Sequence, residues 1–324
     1  MRTKRGTTRR PERHVGPRPP NPSLPGGGDR PTNSLVAATR SLVPVTNSLV
    51  AVAKSVVAVA LPPVHAILDA VLPQTCVCCG AWIAGGDRPA CDACHAEIAA
   101  GLARPYCRRC GRTLPPPAIH ERGCARCRRE IHWNVAGVAR VGVYEPALRV
   151  PLVGLKYHGR ERNADYLADW MALALRQRGW LDAIDALVPV PMHWLRRRQR
   201  PCDHAGVLAF GLSARIGVPV VRLVRRAKHT PSQTAITAKT ARFENVRGCF
   251  SLPRWYQPPW PKRDLHGRTV CIVDNLMMTG ATVYEVAKVL RKAGAKRIYA
   301  VVVARPASPG DPPAVLPPVT DLAT

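Results

Sequence analysis

The chain has 324 residues, with 48 Lys and Arg against 21 Asp and Glu and a formal net charge of +27. At 46% hydrophobic residues it is too apolar to be wholly disordered, and it is too long for a disulfide-framework miniprotein. No run of about 18 uncharged apolar residues argues for a polytopic membrane protein, and the charge favours an acidic protein, a phosphorylated ligand or nucleic acid as partner.

Residues 1–31 are mostly Arg, Pro and Gly with almost no large apolar side chains. Such a segment cannot offset its ordering entropy by burial, so disorder is expected there. A 14-residue near-repeat follows, Thr32–Ala37 recurring as Thr46–Ala51. The apolar stretch Leu49–Leu61 is too short to span a bilayer and carries Lys54 near its middle. A secretory signal would need its apolar run close behind a basic start, and here about 30 polar residues intervene. Residues 64–72 read as a short apolar helix ending at Pro73. Beyond Trp133 strands and helices alternate. Val135–Tyr144, Ala186–Pro191, Val218–Val224, Arg268–Asp274 and Arg297–Ala304 have strand character. Leu167, Trp170, Met171, Ala174 and Leu175 keep helical spacing, as do Val283, Val286, Ala287 and Leu290; another helix is expected near Asp203–Ile216. The alternation predicts an α/β fold with a parallel sheet.

Between them lie four Cys-x-x-Cys pairs, Cys76/Cys79, Cys91/Cys94, Cys107/Cys110 and Cys124/Cys127, separated by 11, 12 and 13 residues. Each such turn aims two thiolates at one point, and two turns complete a tetrahedral zinc shell, so two structural four-Cys sites are expected. Sequential pairing needs the shorter loops and is expected; the spacing leaves a crossed arrangement open. Cys78, His95 and His120 read as spare donors, and Cys271 as a small core residue of its strand. Residues 104–129 hold eight arginines against one glutamate. They suit either a phosphate backbone or a solvated face, with Tyr106 and Trp133 as candidate stacking surfaces.

The segment Val270-Cys271-Ile272-Val273-Asp274-Asn275-Leu276-Met277-Met278-Thr279-Gly280-Ala281-Thr282 is the most informative. A buried strand ends in a polar pair, a small-residue turn follows, and a helix begins. That arrangement presents backbone N–H groups and the positive end of a helix dipole, which suits a phosphate. Thr279 and Thr282 add hydroxyls, Gly280 permits close approach, and Asp274 stands where α/β sheets bind ligands.

This segment resembles the 5-phosphoribosyl-1-pyrophosphate (PRPP) loop of type I phosphoribosyltransferases. With the cysteine pairs ahead of it, the chain resembles the ComF family of competence and DNA-utilisation proteins. Leu72–Gly80, Leu155-Lys156-Tyr157, Val188-Pro189-Val190-Pro191 with Arg196–Arg200, and Ser232-Gln233-Thr234 with Arg242 and Asn245-Val246 agree in order. The match covers roughly residues 64–306. The resemblance implies a Cys-rich double zinc-binding domain over 62–133 and a phosphoribosyltransferase-like domain over 134–306 of a cytoplasmic protein, while composition gives a disordered basic extension over 1–61 and a Pro-rich tail over 307–324. It places the PRPP 5′-phosphate on Thr279, Gly280, Ala281 and Thr282 and the ribose diol on Asp274 and Asn275, with Mg²⁺ on the pyrophosphate. Lys156, Arg196, Arg197 and Arg198 are candidate pyrophosphate or nucleic acid contacts, while His193 and His204 read as structural. The chain departs from the pattern where Asn275 replaces a second acid, where Met278-Thr279 replaces two threonines, and where Arg200-Pro201-Cys202-Asp203-His204 replaces Arg-Gly-Phe-Asn-Gln. Three functions fit: a DNA-utilisation protein binding PRPP and single-stranded DNA, an active phosphoribosyltransferase, and a structural zinc adaptor with a vestigial pocket.

Overall fold

Four Val-rich stretches form a parallel sheet in the order β3-β8-β7-β4: β3 Gly137–Val143, β4 Ala186–Pro189, β7 Thr269–Leu276 and β8 Arg297–Arg305. Val138 and Ile272 both pair with Ala300, and Val188 pairs with Ile272, so the register is continuous across the sheet. Both faces are buried, and the period of two sorts the side chains. Ala139, Val141, Leu187, Cys271, Val273 and Val301 face one core, and Val138, Val188, Val270, Ile272, Ala300 and Val302 face the other. The structure is a computed structural model that describes residues 74–83, 88–114, 123–125, 127, 134–230, 239–252 and 265–307. All of these fall in the compact unit Val64–Thr324; the expectations for residues 1–61, helix 64–72, His120, Trp133, Ser232–Thr234 and the tail beyond 307 lie outside the described residues.

The first core is filled by α1 (Asp92–Ala103), α2 (Pro146–Tyr157), α3 (Arg162–Gln177) and α5 (His204–Ile216), through Ile98, Leu152, Leu167, Met171, Leu208 and Leu212. A short helix, α4 (Trp194–Arg198), precedes α5. Asp203 caps α5 by accepting from the Gly206 N–H at 3.3 Å, and Gly217, at φ 69°, ends it in the left-handed conformation. The second core is closed by α7 (Ala281–Lys292), whose Val283, Val286 and Leu290 sit under the sheet. The helix α6 (Lys239–Val246) lies beside α7, with Phe243 edge-on to Tyr284 at 6.2 Å. The parallel sheet and its flanking helices agree with the sequence expectation, with one exception.

Val218–Val224 is not a strand. Only Val220 bridges β4, through Leu187 N–H to Pro219 O and Val221 N–H to Leu187 O, both at 2.8 Å. The next rung would need an N–H from residue 189, which is Pro189. The chain turns away instead, and β5 (Arg225–Arg226) pairs antiparallel with β6 (Phe250–Ser251).

The Cys-rich region begins with a two-residue hairpin of β1 (Gln74–Thr75) and β2 (Trp82–Ile83) and packs on the same core. Cys76, Cys78, Cys94, Ile98 and Leu102 are buried with α3, where the His95 ring lies 4.7 Å from Trp170 and its Nδ1 is 3.3 Å from the Tyr166 hydroxyl. The second half covers the open edge of β3. Val138 N–H donates to Arg108 O at 2.8 Å, Arg140 N–H donates to the Tyr106 hydroxyl at 3.2 Å, and the Arg305 guanidinium donates to Cys110 O. Gly137 makes this approach possible: a Cβ there would lie 2.6 Å from the Trp180 ring, which is itself stacked on Tyr299 at 4.1 Å.

Candidate functional site

The eight paired cysteines converge into two clusters, Cys76/Cys79/Cys91/Cys94 and Cys107/Cys110/Cys124/Cys127, each with its sulfurs within 4.8 Å of one another. Pairing is sequential. The Sγ separations are 3.8 Å for Cys79–Cys91, 3.9 Å for Cys107–Cys127 and Cys110–Cys124, and 3.7 Å for Cys124–Cys127. A zinc ion with four Zn–S bonds of about 2.3 Å sets its sulfurs ~3.8 Å apart, whereas a disulfide needs about 2.05 Å. The donor set and spacing therefore fit zinc, and all four positions of each shell are protein thiolates, as in a structural site. Backbone N–H groups help hold the thiolates. Cys76 Sγ accepts from Cys78 N–H at 3.4 Å and Cys91 N–H at 3.3 Å, and Cys107 Sγ accepts from Cys124 N–H at 3.3 Å. Burial alone would raise the Cys76 thiol, but these N–H donors and that of Cys79 outweigh it and bring it to about 7. Cys78 and His95 stand outside both clusters: burial pushes the Cys78 thiol up, and His95 packs on Tyr166 and Trp170.

Tyr106, expected as a stacking surface, is a correction. The ring is buried, with the Arg178 guanidinium 4.0 Å and the Arg140 guanidinium 4.7 Å from its centroid, and its hydroxyl accepts from Arg178 Nε at 3.1 Å. A nucleobase finds no open face there.

The second site lies at the carboxyl end of the sheet. There Asp274 and Asn275, both buried, precede Leu276, the last residue of β7. Asp274 Oδ1 accepts from Asn275 N–H at 2.8 Å, and the Asn275 side-chain Nδ2 has no partner among the described residues. The turn Leu276–Gly280 leads into α7, whose cap Gly280 has φ 88°, a conformation that glycine adopts without strain. Thr279 Oγ1 accepts from Ala281 N–H at 3.4 Å. The first-turn N–H groups of a helix have no intrahelical partner, and here they open on a small cavity lined by Asp274 and Leu276–Val283.

Cations surround the carboxylate. Lys156, in the last turn of α2, faces Asp274; burial lowers its pKa, Asp274 offsets part of that, and Arg200 adds to it. The Arg226 guanidinium on β5 also acts on Asp274 and donates to Thr230 Oγ1 at 2.6 Å, and Arg196 donates to Thr230 O. Burial lowers both, with repulsion from Arg196 adding to it at Arg226 and repulsion from Arg200 at Arg196. Arg200 donates to Lys156 O at 3.4 Å. His204 lies in the same wall, its pKa pushed down to about 3 by burial and by Lys156, Arg200 and Arg197, so it is neutral. Of the loop arginines expected to make contacts, Arg196 turns inward, Arg197 is exposed but near enough to act on His204, and Arg198 stands outside over Trp194. Arg226 was missed from sequence, whereas His204, read there as structural, lies in this wall as a neutral imidazole. Arg226 sits in an ordinary basic run whose place depends on the β5–β6 pairing. Despite these cations, burial dominates at Asp274 and raises its carboxyl from 3.8 to about 6.

Two four-Cys clusters joined to a parallel sheet with a glycine-capped helix at its carboxyl end define a zinc-ribbon protein of the phosphoribosyltransferase fold. Residues 67–128 match the double zinc ribbon domain, and residues 202–316 match the phosphoribosyl transferase domain. The chain is 30% identical to competence protein F of Haemophilus influenzae over 220 residues, covering 66% of this chain and 90% of that protein. It is 26% identical to the DNA utilization protein YhgH of Escherichia coli O157:H7 over 233 residues, 70% of this chain and 95% of that protein. The chain belongs to the competence protein F (ComF) family. A purine phosphoribosyltransferase from Pyrococcus horikoshii aligns over 44% of this chain and 71% of its own, at 19% identity and a TM-score of 0.26.

Two zinc ions per chain are expected by elemental analysis. Replacing Cys107 by Ser should remove one and speed hydrogen exchange at the amides of Val138 and Arg140, which donate to Arg108 O and Tyr106. Cys91→Ser should remove the other and leave those two amides protected. Purified protein with paired disulfides and no metal would refute the zinc assignment.

Asp274 has a folded pKa above the 3.8 of an unfolded aspartate, so its ionisation destabilises the ligand-free fold. The cost grows as pH rises from about 4 and levels off above about 6, reaching ~3 kcal/mol. Asp274→Asn should therefore raise Tm at pH 7.5, and the gain should fall to about half at pH 5. An equal gain at both pH values would contradict the burial of an ionised carboxylate.

Proposed function

We propose that this chain is a DNA-utilisation protein that binds PRPP or a related phosphorylated sugar in the cleft at the end of β7 and single-stranded DNA on its basic surface. The observation that carries the first part is Asp274, buried at a strand end and flanked by Lys156 and Arg226, beside the glycine-capped start of α7. A ligand fitting this cleft places a phosphate at Thr279–Thr282 and hydroxyls at Asp274 and Asn275, and projects further negative charge toward Lys156, Arg196 and Arg200. Mg²⁺ carried on the pyrophosphate would neutralise part of that charge. The chain offers a carboxylate and an amide where two acids are usual, so the reading stops at binding and assigns no turnover. Asp274 would orient the diol, and the cations would hold the phosphates apart from one another.

The second part is supported by the charge and by the family. Residues 1–60 carry +8 and residues 61–324 carry +19, so the part bearing both modules is basic by itself. Among the described residues no helix is long and apolar enough to cross a membrane. Two thiolate clusters support a reducing, cytoplasmic setting.

Thermal denaturation with PRPP, ribose 5-phosphate and inorganic phosphate, each with Mg²⁺, tests the cleft. A ligand at 100 times its Kd stabilises by ~2.7 kcal/mol. Asn275→Asp should tighten Mg-PRPP more than inorganic phosphate; equal effects would remove Asn275 from the sugar end. Single-stranded DNA binding to the full chain should fall steeply with salt, by a slope of about −0.7 per phosphate contacted. Absence of DNA binding at low salt together with no stabilisation by PRPP, ribose 5-phosphate or phosphate would leave the zinc adaptor with a vestigial pocket.

A further inference from the structure

Large apolar side chains exposed by half or more are few among the described residues, and two of them, Tyr157 at 55% and Trp194 at 58%, belong to segments that build the cationic cleft. Tyr157 ends α2, one residue after Lys156. The Arg200 guanidinium lies 4.0 Å from its ring centroid, and the same side chain donates to Lys156 O. Trp194 opens α4, with the Arg198 guanidinium 5.4 Å from its ring. Its ring is 5.8 Å from that of His193, which meets His229 at 5.1 Å beside the Arg226–Thr230 wall that Arg196 also reaches. An exposed aromatic ring with a guanidinium on it thus stands at each end of the segment 194–200, outside the pocket that Asp274 and Lys156 form.

Capture by charge alone does not call for these rings. Exposed aromatic surface costs solvation, and neither residue contributes to a core cluster. Paired with arginines and set among exposed Arg197 and Arg198, they have the composition of a platform for unpaired bases, whose π-faces stack on aromatic rings while phosphates meet guanidinium groups. A duplex keeps its bases stacked inside and offers no such face.

Building on the single-strand reading above, we infer that Tyr157 and Trp194 are stacking platforms on which single-stranded nucleic acid crosses the rim of the phosphate cleft, its backbone on Arg197, Arg198 and Arg200. Recognition here is sequence-tolerant, because every base presents a π-face. It locates the strand at the cleft rim and not on Tyr106 of the ribbon.

The test uses fluorescence anisotropy of the full chain with labelled dT20 and with an abasic 20-mer that keeps the phosphates. Wild type should bind dT20 more tightly than the abasic strand. Tyr157→Ala and Trp194→Ala should each weaken dT20 binding about tenfold, and the double variant should bind both strands alike with the wild-type salt slope. Tyr157→Phe and Trp194→Phe should restore most of the loss, which separates stacking from misfolding. Equal wild-type affinity for dT20 and the abasic strand, or an unchanged double variant, overturns the platform while leaving charge-driven DNA binding standing. Failure of wild type to bind either strand at low salt overturns the single-strand reading itself, and the platform with it.

Discussion

Four thiolates drawn to one point hold the sheet's first edge in place. A parallel sheet of four strands leaves two edges with unpaired backbone groups, and those edges must be covered or interrupted. At β4 the interruption is Pro189, after a single bridge to Val220. At β3 the cover is the second Cys-rich loop, which supplies Arg108 O and the Tyr106 hydroxyl as acceptors for the Val138 and Arg140 amides, while its Cys110 O accepts from the Arg305 side chain of β8. Holding these acceptors in register requires the loop to be fixed against its own chain entropy. The Cys107/Cys110/Cys124/Cys127 shell fixes it, and metal affinity becomes folding free energy of the neighbouring strand. Arg140 illustrates the dependence. It is a fully buried arginine on the edge strand, lying against Tyr106 of the ribbon.

The same sheet explains why the cleft is cationic. Lys156 ends α2, Asp274 and Asn275 lie near the end of β7, and Arg226 lies on the short strand entered after the chain leaves β4. Arg196 and Arg200 come from the segment that follows Pro189. Parallel pairing puts the carboxyl ends of β4 and β7 on one side of the sheet, so the segment leaving Pro189 and the end of β7 come together there. Mutual repulsion is tolerated because each cation has a local anchor: Thr230 for Arg196 and Arg226, the Lys156 carbonyl and Tyr157 ring for Arg200.

Much of this was legible in sequence, and for identifiable reasons. The four Cys-x-x-Cys pairs, the strand that becomes β7 and the helical stripe of α7 are local patterns, and each falls where spacing and periodicity put it. The strand expected at Val218–Val224 failed because β propensity says nothing about a partner's proline. Tyr106 failed for a similar reason: its burial is decided by Arg140 and Arg178, 34 and 72 residues away. Arg226 was illegible because its neighbours Arg222, Arg225 and Lys228 read alike; only the pairing with Phe250–Ser251 selects which one turns inward.

Asn275 ties the electrostatics together. A second carboxylate at that position would add another buried charge beside Asp274 in the chain, whose own ionisation is already opposed by burial. The amide avoids that second charge and leaves a buried N–H donor open, which costs free energy until an acceptor arrives. A carboxylate accepts from hydroxyl hydrogens, whereas this amide nitrogen donates to an oxygen. The cavity therefore presents one acceptor at Asp274 and helix N–H groups at α7, with the Asn275 amide beside it in the chain and Lys156 and Arg226 near enough to act on the carboxylate. With a single carboxylate against those cations, the balance of charge is left for the ligand to supply. The phosphates of the proposed sugar phosphate would supply it, as would the backbone of the proposed single strand.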